Sequence, residues 1–355
     1  MLDLGTDVVA LAAALCDIPS ESGREAELAD AIESALRALP HLSVDRDGDA
    51  VVARTHLDRD RRVAIAGHID TVPIKDNVPS RRELVAGEDV LVGRGSVDMK
   101  GGVAVQLAIA AALAEPRADV TWIFYDHEEV DSARNGLGRL ARNRPDLLAA
   151  DFAILGEPTN AVVEGGCNGT LRVRLAWHGV RAHSARPWAG QNAIHALAPA
   201  LAALAAWVPE DVEVDGLVYR ESLNAVGVGG GVAGNVIPDL AELTVNYRFA
   251  PSRSGEEAVA RVRALFPDAE LEVVDLAAGA RPGLDAPIAR EFLAAVGEPA
   301  QPKYGWTDVA RFSELGIPAV NYGPGDPARA HTDDEAVAVE QIRACERGLR
   351  AWLAS

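Results

Sequence analysis

Seven side chains in this sequence are of types and in places that suit hydrolytic chemistry. They are His68 and Asp70 in GHIDTVP, Asp98 in GRGSVDMKGG, Glu128 and Glu129 in YDHEEVD, Glu157 in LGEPT and His331 in RAHTDDE. Imidazole and carboxylate donors without a thiolate suit zinc, cobalt or manganese. Seven groups exceed what one ion needs. Two ions about 3.5–4 Å apart would use them, with one carboxylate shared and a histidine and a further carboxylate on each ion.

Each stretch has a reading in that scheme. His68 is a ligand whose second ring nitrogen needs an acceptor, and Asp70, two residues on, is in reach to supply one. Asp98 sits in a glycine-rich loop opening a helix, where one carboxylate could bridge two ions. The adjacent glutamates fall into two roles: a carboxylate bound to a cation is too weakly basic to collect a proton from water, so one of the pair binds and the other moves the proton. Taken singly, Asp98 could be a helix cap, His68 a core histidine and the glutamate pair a solvated loop. Convergence of several polar strand ends on one place is the stronger argument. His127 beside the pair reads as structural.

The elements that must position these groups are legible. VAIAGHID (63–70), VTWIFYD (120–126) and FAILGEP (152–158) are continuously apolar, the pattern of strands buried on both faces. KGGVAVQLAIAAALAE (100–115) is expected to be a crossover helix between them, giving an α/β fold with a largely parallel sheet. Each strand ends in a polar cluster, and ligands in such sheets bind beyond the carboxyl ends of the strands. Two helices, over 4–17 and 23–38, precede the first strand, with Ser20-Glu21-Ser22 expected to cap the second.

From about Gly169 the pattern becomes alternating: strands at 171–179, 222–231, 243–250 and 270–276, with helices at 190–207 and 254–266. That β-α-β-β-α-β order is the one found in a ferredoxin-like α+β sandwich. Pro199 should kink the first of those helices. After about 280 come helix, loop, a buried strand in IPAVNYGPGD and a closing amphipathic helix at 334–353. The expected organisation is therefore a catalytic domain from 1–169 and 280–355, with a smaller domain, 170–279, inserted into it.

With 355 residues the chain is long enough for two domains, and 34 Lys+Arg against 53 Asp+Glu give a net charge of −19. That charge would repel a phosphate backbone, so nucleic acid is not an expected partner. Cys16, Cys167 and Cys345 fit neither a disulfide framework nor a metal-binding pair, which points to a reducing, cytoplasmic compartment. The opening MLDLGTDVVALAAALCD lacks a basic leader and reads as an amphipathic helix of a soluble protein, with no membrane as partner.

At this level the chain resembles the M20 metallopeptidase-like amidohydrolases, within them the succinyl-diaminopimelate desuccinylases of actinobacterial type. The likeness runs the whole length, through GHIDTVP, GRGSVDMKGG, the Glu pair, LGEPT, RAHSARP (181–187), GNVIP (234–238), KYGWTDVARF (303–312) and YGPGDPARAHTDDE (322–335). The resemblance implies His68, Asp98 and Glu157 as ligands of one zinc, and Asp98, Glu129 and His331 as ligands of the other, with cobalt an alternative metal. It makes Glu128 the general acid/base and Asp70 the support of His68. It implies a homodimer formed through the inserted lid domain, with His183 reaching into the partner's site to stabilise the oxyanion. Asn235 and Arg248 match positions that hold substrate carboxylates or backbone groups, with Arg186 and Thr307 as secondary candidates for the same work.

The implied reaction is hydrolysis of the polycarboxylate amide N-succinyl-LL-2,6-diaminopimelate to succinate and LL-2,6-diaminopimelate, a step of lysine and diaminopimelate biosynthesis. Acetylornithine deacetylase, aminoacylase or dipeptidase activity would use the same metal constellation. A binding protein that keeps the fold without turnover is disfavoured by the retained Glu128. His127 departs from the aspartate or small residue that many relatives carry.

Overall fold

The computed structural model describes residues 2–297 and 299–354. The chain divides into two compact units, one of residues 1–165, 282–301 and 307–355 and the other of residues 166–281 and 302–306.

The first unit is built on an eight-stranded sheet. Its centre is parallel: Arg62–His68 pairs with Asp119–Tyr125 on one side and Phe152–Leu155 on the other, and Phe152–Leu155 pairs with Ala319–Asn321. Antiparallel strands flank this core, the hairpin Ser43–Asp47/Ala50–Arg54 on one side and Glu164–Gly165 on the other. All seven residues of Asp119–Tyr125 and all four of Phe152–Leu155 are buried, which is why these segments carry no polar alternation.

Helix Lys100–Ala112 packs against helices Val8–Cys16 and Val339–Ala354 and is buried from Lys100 to Ala110. Gly102 lets the same helix approach the segment after strand Phe152–Leu155: a Cβ there would stand 2.1 Å from the Gly156 carbonyl oxygen. Any side chain there would push the helix off the strand end that leads to Glu157.

The Ser20-Glu21-Ser22 cluster does not cap the second helix. That helix is Ala26–Arg37, and its N-terminal residue Glu25 makes no side-chain cap. Instead Ser20 Oγ donates to the Ile69 carbonyl at 2.6 Å, Ser22 Oγ donates to Asp70 at 2.7 Å, and Glu21 accepts the Ile74 N–H at 2.8 Å. The polar cluster is spent on the segment that follows strand Arg62–His68, where unpaired backbone groups are more deeply buried than at the helix start.

The second unit holds a four-stranded antiparallel sheet in the order Ser222–Gly230, Leu240–Phe249, Gly169–His178, Glu270–Ala277. Helices Ala193–Ala205 and Gly255–Leu265 pack on it, completing the β-α-β-β-α-β order. Leu171, Val173, Leu175 and Trp177 point inward along one strand, Ala241, Leu243, Val245, Tyr247 and Phe249 along its neighbour. Ser254 caps the second helix in a reciprocal box with Glu257. Pro199 lies inside Ala193–Ala205, and the helix is continuous across it. An extra hairpin, Asp211–Val214 with Leu217–Arg220, interrupts the sequence-derived order.

Among the described residues, no helix is long and apolar enough to cross a membrane.

Candidate functional site

The parallel strands deliver their polar ends to one place. His68, the last residue of Arg62–His68, is buried with its Nδ1 3.0 Å from the Asp70 carbonyl oxygen and 3.5 Å from the Asp70 carboxylate. Its Nε2 lies 3.0 Å from Asp98 Oδ1. The other Asp98 oxygen, Oδ2, lies 3.3 Å from His331 Nε2, which in turn is 2.9 Å from Glu129 Oε1. Asp98 therefore stands between two imidazoles with one oxygen toward each.

Among the described residues, donor atoms of His68, Asp98 and Glu129 all lie within 4.8 Å of one another, a candidate metal site. His331 adjoins them from the far side of Asp98, through its own contacts to Asp98 and Glu129. Glu157 is buried two residues beyond strand Phe152–Leu155, close enough for its charge to act on Glu128.

The electrostatics suit a cation. Burial alone would raise Asp98 and lower His68, and their mutual contacts, with His331 and Asp70, reverse both: Asp98 is held below the usual carboxylate range and His68 well above the usual imidazole range. His331, facing Asp98 and Glu129, is pushed up to about 10. So many carboxylates around two imidazoles create a negative field that nitrogen and oxygen donors of this kind satisfy with a divalent ion.

Glu128 and Glu129 differ in surroundings although they are neighbours. Removal from water pushes the Glu128 carboxyl well above its ordinary value; His68 opposes this, and Glu157, Asp308 and Glu129 reinforce it. A glutamate of raised basicity beside these candidate ligands is suited to hold a proton in transit. Glu129 instead faces His331.

His127 is placed by its backbone and its ring. Its φ is +58°, in the left-handed region, at the turn that ends strand Asp119–Tyr125. The ring Nδ1 is 2.6 Å from Asp126 and 3.3 Å from Glu25, and Arg134 lies 2.8 Å from Nε2. Arg139 reaches the same Asp126 carboxylate. The residue before the glutamate pair is thus gripped by three charged neighbours.

The remaining sequence-derived residues divide. Thr307 lies in the first unit, and its hydroxyl donates to Asn321 Oδ1 at 2.9 Å. His183, Arg186, Asn235 and Arg248 lie in the second unit. There His183 pairs with Val236 in a short ladder, and Ser184 N donates to the Asn235 carbonyl at 2.9 Å, so His183 and Asn235 are adjacent. Arg186 is exposed. Arg248 is partly buried, its guanidinium makes no ion pair among the described residues, and burial lowers its pKa.

The family model of peptidase family M20/M25/M40 matches residues 64–355. The chain belongs to this family. This M20 chain is 56% identical over 356 residues to a Mycobacterium tuberculosis protein provisionally named succinyl-diaminopimelate desuccinylase DapE, covering 99% of each. It is 49% identical over 363 residues to the succinyl-diaminopimelate desuccinylase of Corynebacterium glutamicum, covering 99% of this chain and 97% of that one. A tripeptidase of Staphylococcus aureus shares the M20 fold with a TM-score of 0.81, at 19% identity, over 100% of this chain and 98% of its own.

Two residues of this M20 site escaped the sequence reading. Arg94 and Glu335 are both buried and form an ion pair at 2.8 Å beneath the Asp98 loop. The available signals were an arginine between two glycines in GRGS and a glutamate running straight into the apolar AVAV. Charged residues are rarely buried unless paired, and pairing across 241 positions has no local signature.

Proposed function

We propose that this chain is a two-metal amidohydrolase that cleaves N-succinyl-LL-2,6-diaminopimelate to succinate and LL-2,6-diaminopimelate, serving diaminopimelate and lysine biosynthesis. The observation that carries the substrate is near full-length identity of 56% and 49% to two proteins bearing that name. Supporting the two-ion reading is Asp98, whose two oxygens face His68 and His331 separately. His68, Asp98 and Glu157 would hold one ion, and Asp98, Glu129 and His331 the other, with zinc favoured by the nitrogen and oxygen donor set and cobalt able to replace it.

Bound ions would supply positive charge that lowers the pKa of a water and polarises the scissile carbonyl. Glu128 takes the proton of the attacking water and returns it to the amide nitrogen as the carbon–nitrogen bond breaks, so that succinate and a free amine leave. Asp70 holds the Glu128–Glu129 main chain and the His68 ring in register. Arg248, with its guanidinium unpaired among the described residues, suits a substrate carboxylate, with Asn235, Arg186 and Thr307 as further polar contacts.

The inserted unit is assigned the dimer contact, and His183, donated by the partner subunit, the oxyanion. Val226 and Val228, 58% and 66% exposed on edge strand Ser222–Gly230, support such a contact. Light scattering on the intact chain reading only monomer would remove it. Three widely spaced, buried cysteines fit a cytoplasmic enzyme.

The deciding assay follows succinate and primary amine released by the zinc-reconstituted protein from succinyl-diaminopimelate, with acetylornithine and a dipeptide in parallel. Preference for either of the latter would overturn the substrate while leaving the metal chemistry in place.

A further inference from the structure

Glu335 is 1% exposed, and both its carboxylate oxygens are filled from one loop. Oε2 accepts Arg94 Nη1 at 2.8 Å and the Gly95 N–H at 3.0 Å. Oε1 accepts the Val97 N–H at 2.9 Å and the Asp98 N–H at 3.1 Å. The Glu335 carbonyl extends the seam by accepting the Gly93 N–H at 3.0 Å. Arg94 carries it outward, donating from Nη1 to the Thr332 carbonyl and from Nε to the Pro73 carbonyl, each at 3.1 Å. One buried ion pair thus joins the three segments that bear Asp98, His331 and His68.

The two imidazoles depend on this pair unequally. His68 is 1% exposed and fixed within a central strand, with Asp70 on its Nδ1. His331 has a half-exposed ring, a left-handed φ of +65°, and lies four residues before Glu335 and one before Thr332. Its distance from Asp98 is set where its segment is bonded to the Asp98 loop, which is at Arg94 and Glu335. Metal ligands tolerate about 0.2 Å of error, and outer hydrogen-bond partners that orient them govern affinity by roughly 10- to 100-fold.

We propose that Glu335, together with Arg94, is a positioning residue that fixes the reach from Asp98 to His331 and thereby sets the affinity of the ion held by Asp98, Glu129 and His331, with less effect on the ion beside His68. The proposal rests on the two-ion reading above. Glu335 itself touches neither ion nor substrate.

The test is zinc titration calorimetry on the metal-free, full-length chain, with the cobalt(II) absorption spectrum recorded per equivalent added. Wild type is expected to bind two ions. Glu335→Gln places an amide against N–H donors and should weaken the second ion on the order of 10- to 100-fold, weaken the first severalfold less, and change the cobalt spectrum chiefly beyond the first equivalent. Arg94→Lys, which keeps the charge but loses the fork to Thr332 and Pro73, should show the same selective loss to a smaller extent. It provides the measurement if Glu335→Gln does not fold. Equal weakening of both ions, or no weakening of either, overturns the positioning role. Fewer than two ions in wild type overturns the two-ion reading itself, and that failure is distinguishable because no variant is needed to see it.

Discussion

The carboxylate of Asp70 accepts the main-chain N–H of Glu128 at 3.0 Å. Its second oxygen accepts the N–H of Glu129 at 3.1 Å and the hydroxyl of Ser22 at 2.7 Å. The His68 ring takes the Asp70 main-chain carbonyl as its nearer partner, 3.0 Å against 3.5 Å to the carboxylate. Asp70 therefore organises the glutamate pair with its side chain and the histidine chiefly with its backbone.

An expectation follows for Asp70→Asn. The amide turns one acceptor into a donor facing backbone N–H groups, so the glutamate pair loses an anchor while the carbonyl contact to His68 persists. Turnover should fall by roughly 10- to 100-fold, as for other groups that orient metal ligands. Steady-state kinetics with zinc binding measured alongside decides it. Wild-type kcat in this variant would show that the anchor is dispensable.

Glu128→Gln removes the proton acceptor and leaves Glu129, Asp98 and both histidines unchanged. Metal content by elemental analysis should match wild type, while kcat drops by about 10²- to 10⁴-fold, the usual contribution of general acid–base catalysis. Near-normal turnover would assign the proton to another group.

At His127 the backbone and the ring can be separated. Asparagine enters the left-handed region at lower cost than alanine, and both lose the ring's contacts with Glu25 and Arg134. His127→Ala should be less stable than His127→Asn by about 1–2 kcal/mol in urea unfolding. Equal stabilities would mean that the +58° conformation carries no strain and the ring alone matters.

Acid stability should depend on Asp119. Burial would raise its pKa, but the Leu57 N–H at 2.9 Å, the Thr55 hydroxyl at 2.8 Å and the Arg59 N–H at 3.1 Å outweigh it and hold the carboxylate below its ordinary value. A depressed carboxylate stabilises the fold above the unfolded-state pKa of about 3.9 and gives that stability up as pH falls through the folded value. Asp119→Asn should cost about 1.5–3 kcal/mol at neutral pH, with the gap to wild type closing below about pH 4. A gap that stays constant with pH would exclude the carboxylate charge as its source.

The sequence by itself determined the parallel core and the ligand types, because strands buried on both faces must be largely apolar and the charged residues they carry are at their ends. VAIAGHID, VTWIFYD and FAILGEP announced both facts at once. The alternating strands of the inserted unit were legible for the same reason, since one face of that sheet is solvated. What only tertiary structure decided was pairing across long separations. Ser20 and Ser22 turned from an expected helix cap to partners of the segment around Ile69 and Asp70, because desolvated backbone there has the stronger claim on a hydroxyl. Glu335 meets the Asp98 loop 237 positions away, and His331 meets Glu129 at 202. No local pattern encodes such contacts: they exist because the sheet brings strand ends together, and a buried carboxylate then takes whichever donors the fold leaves beside it.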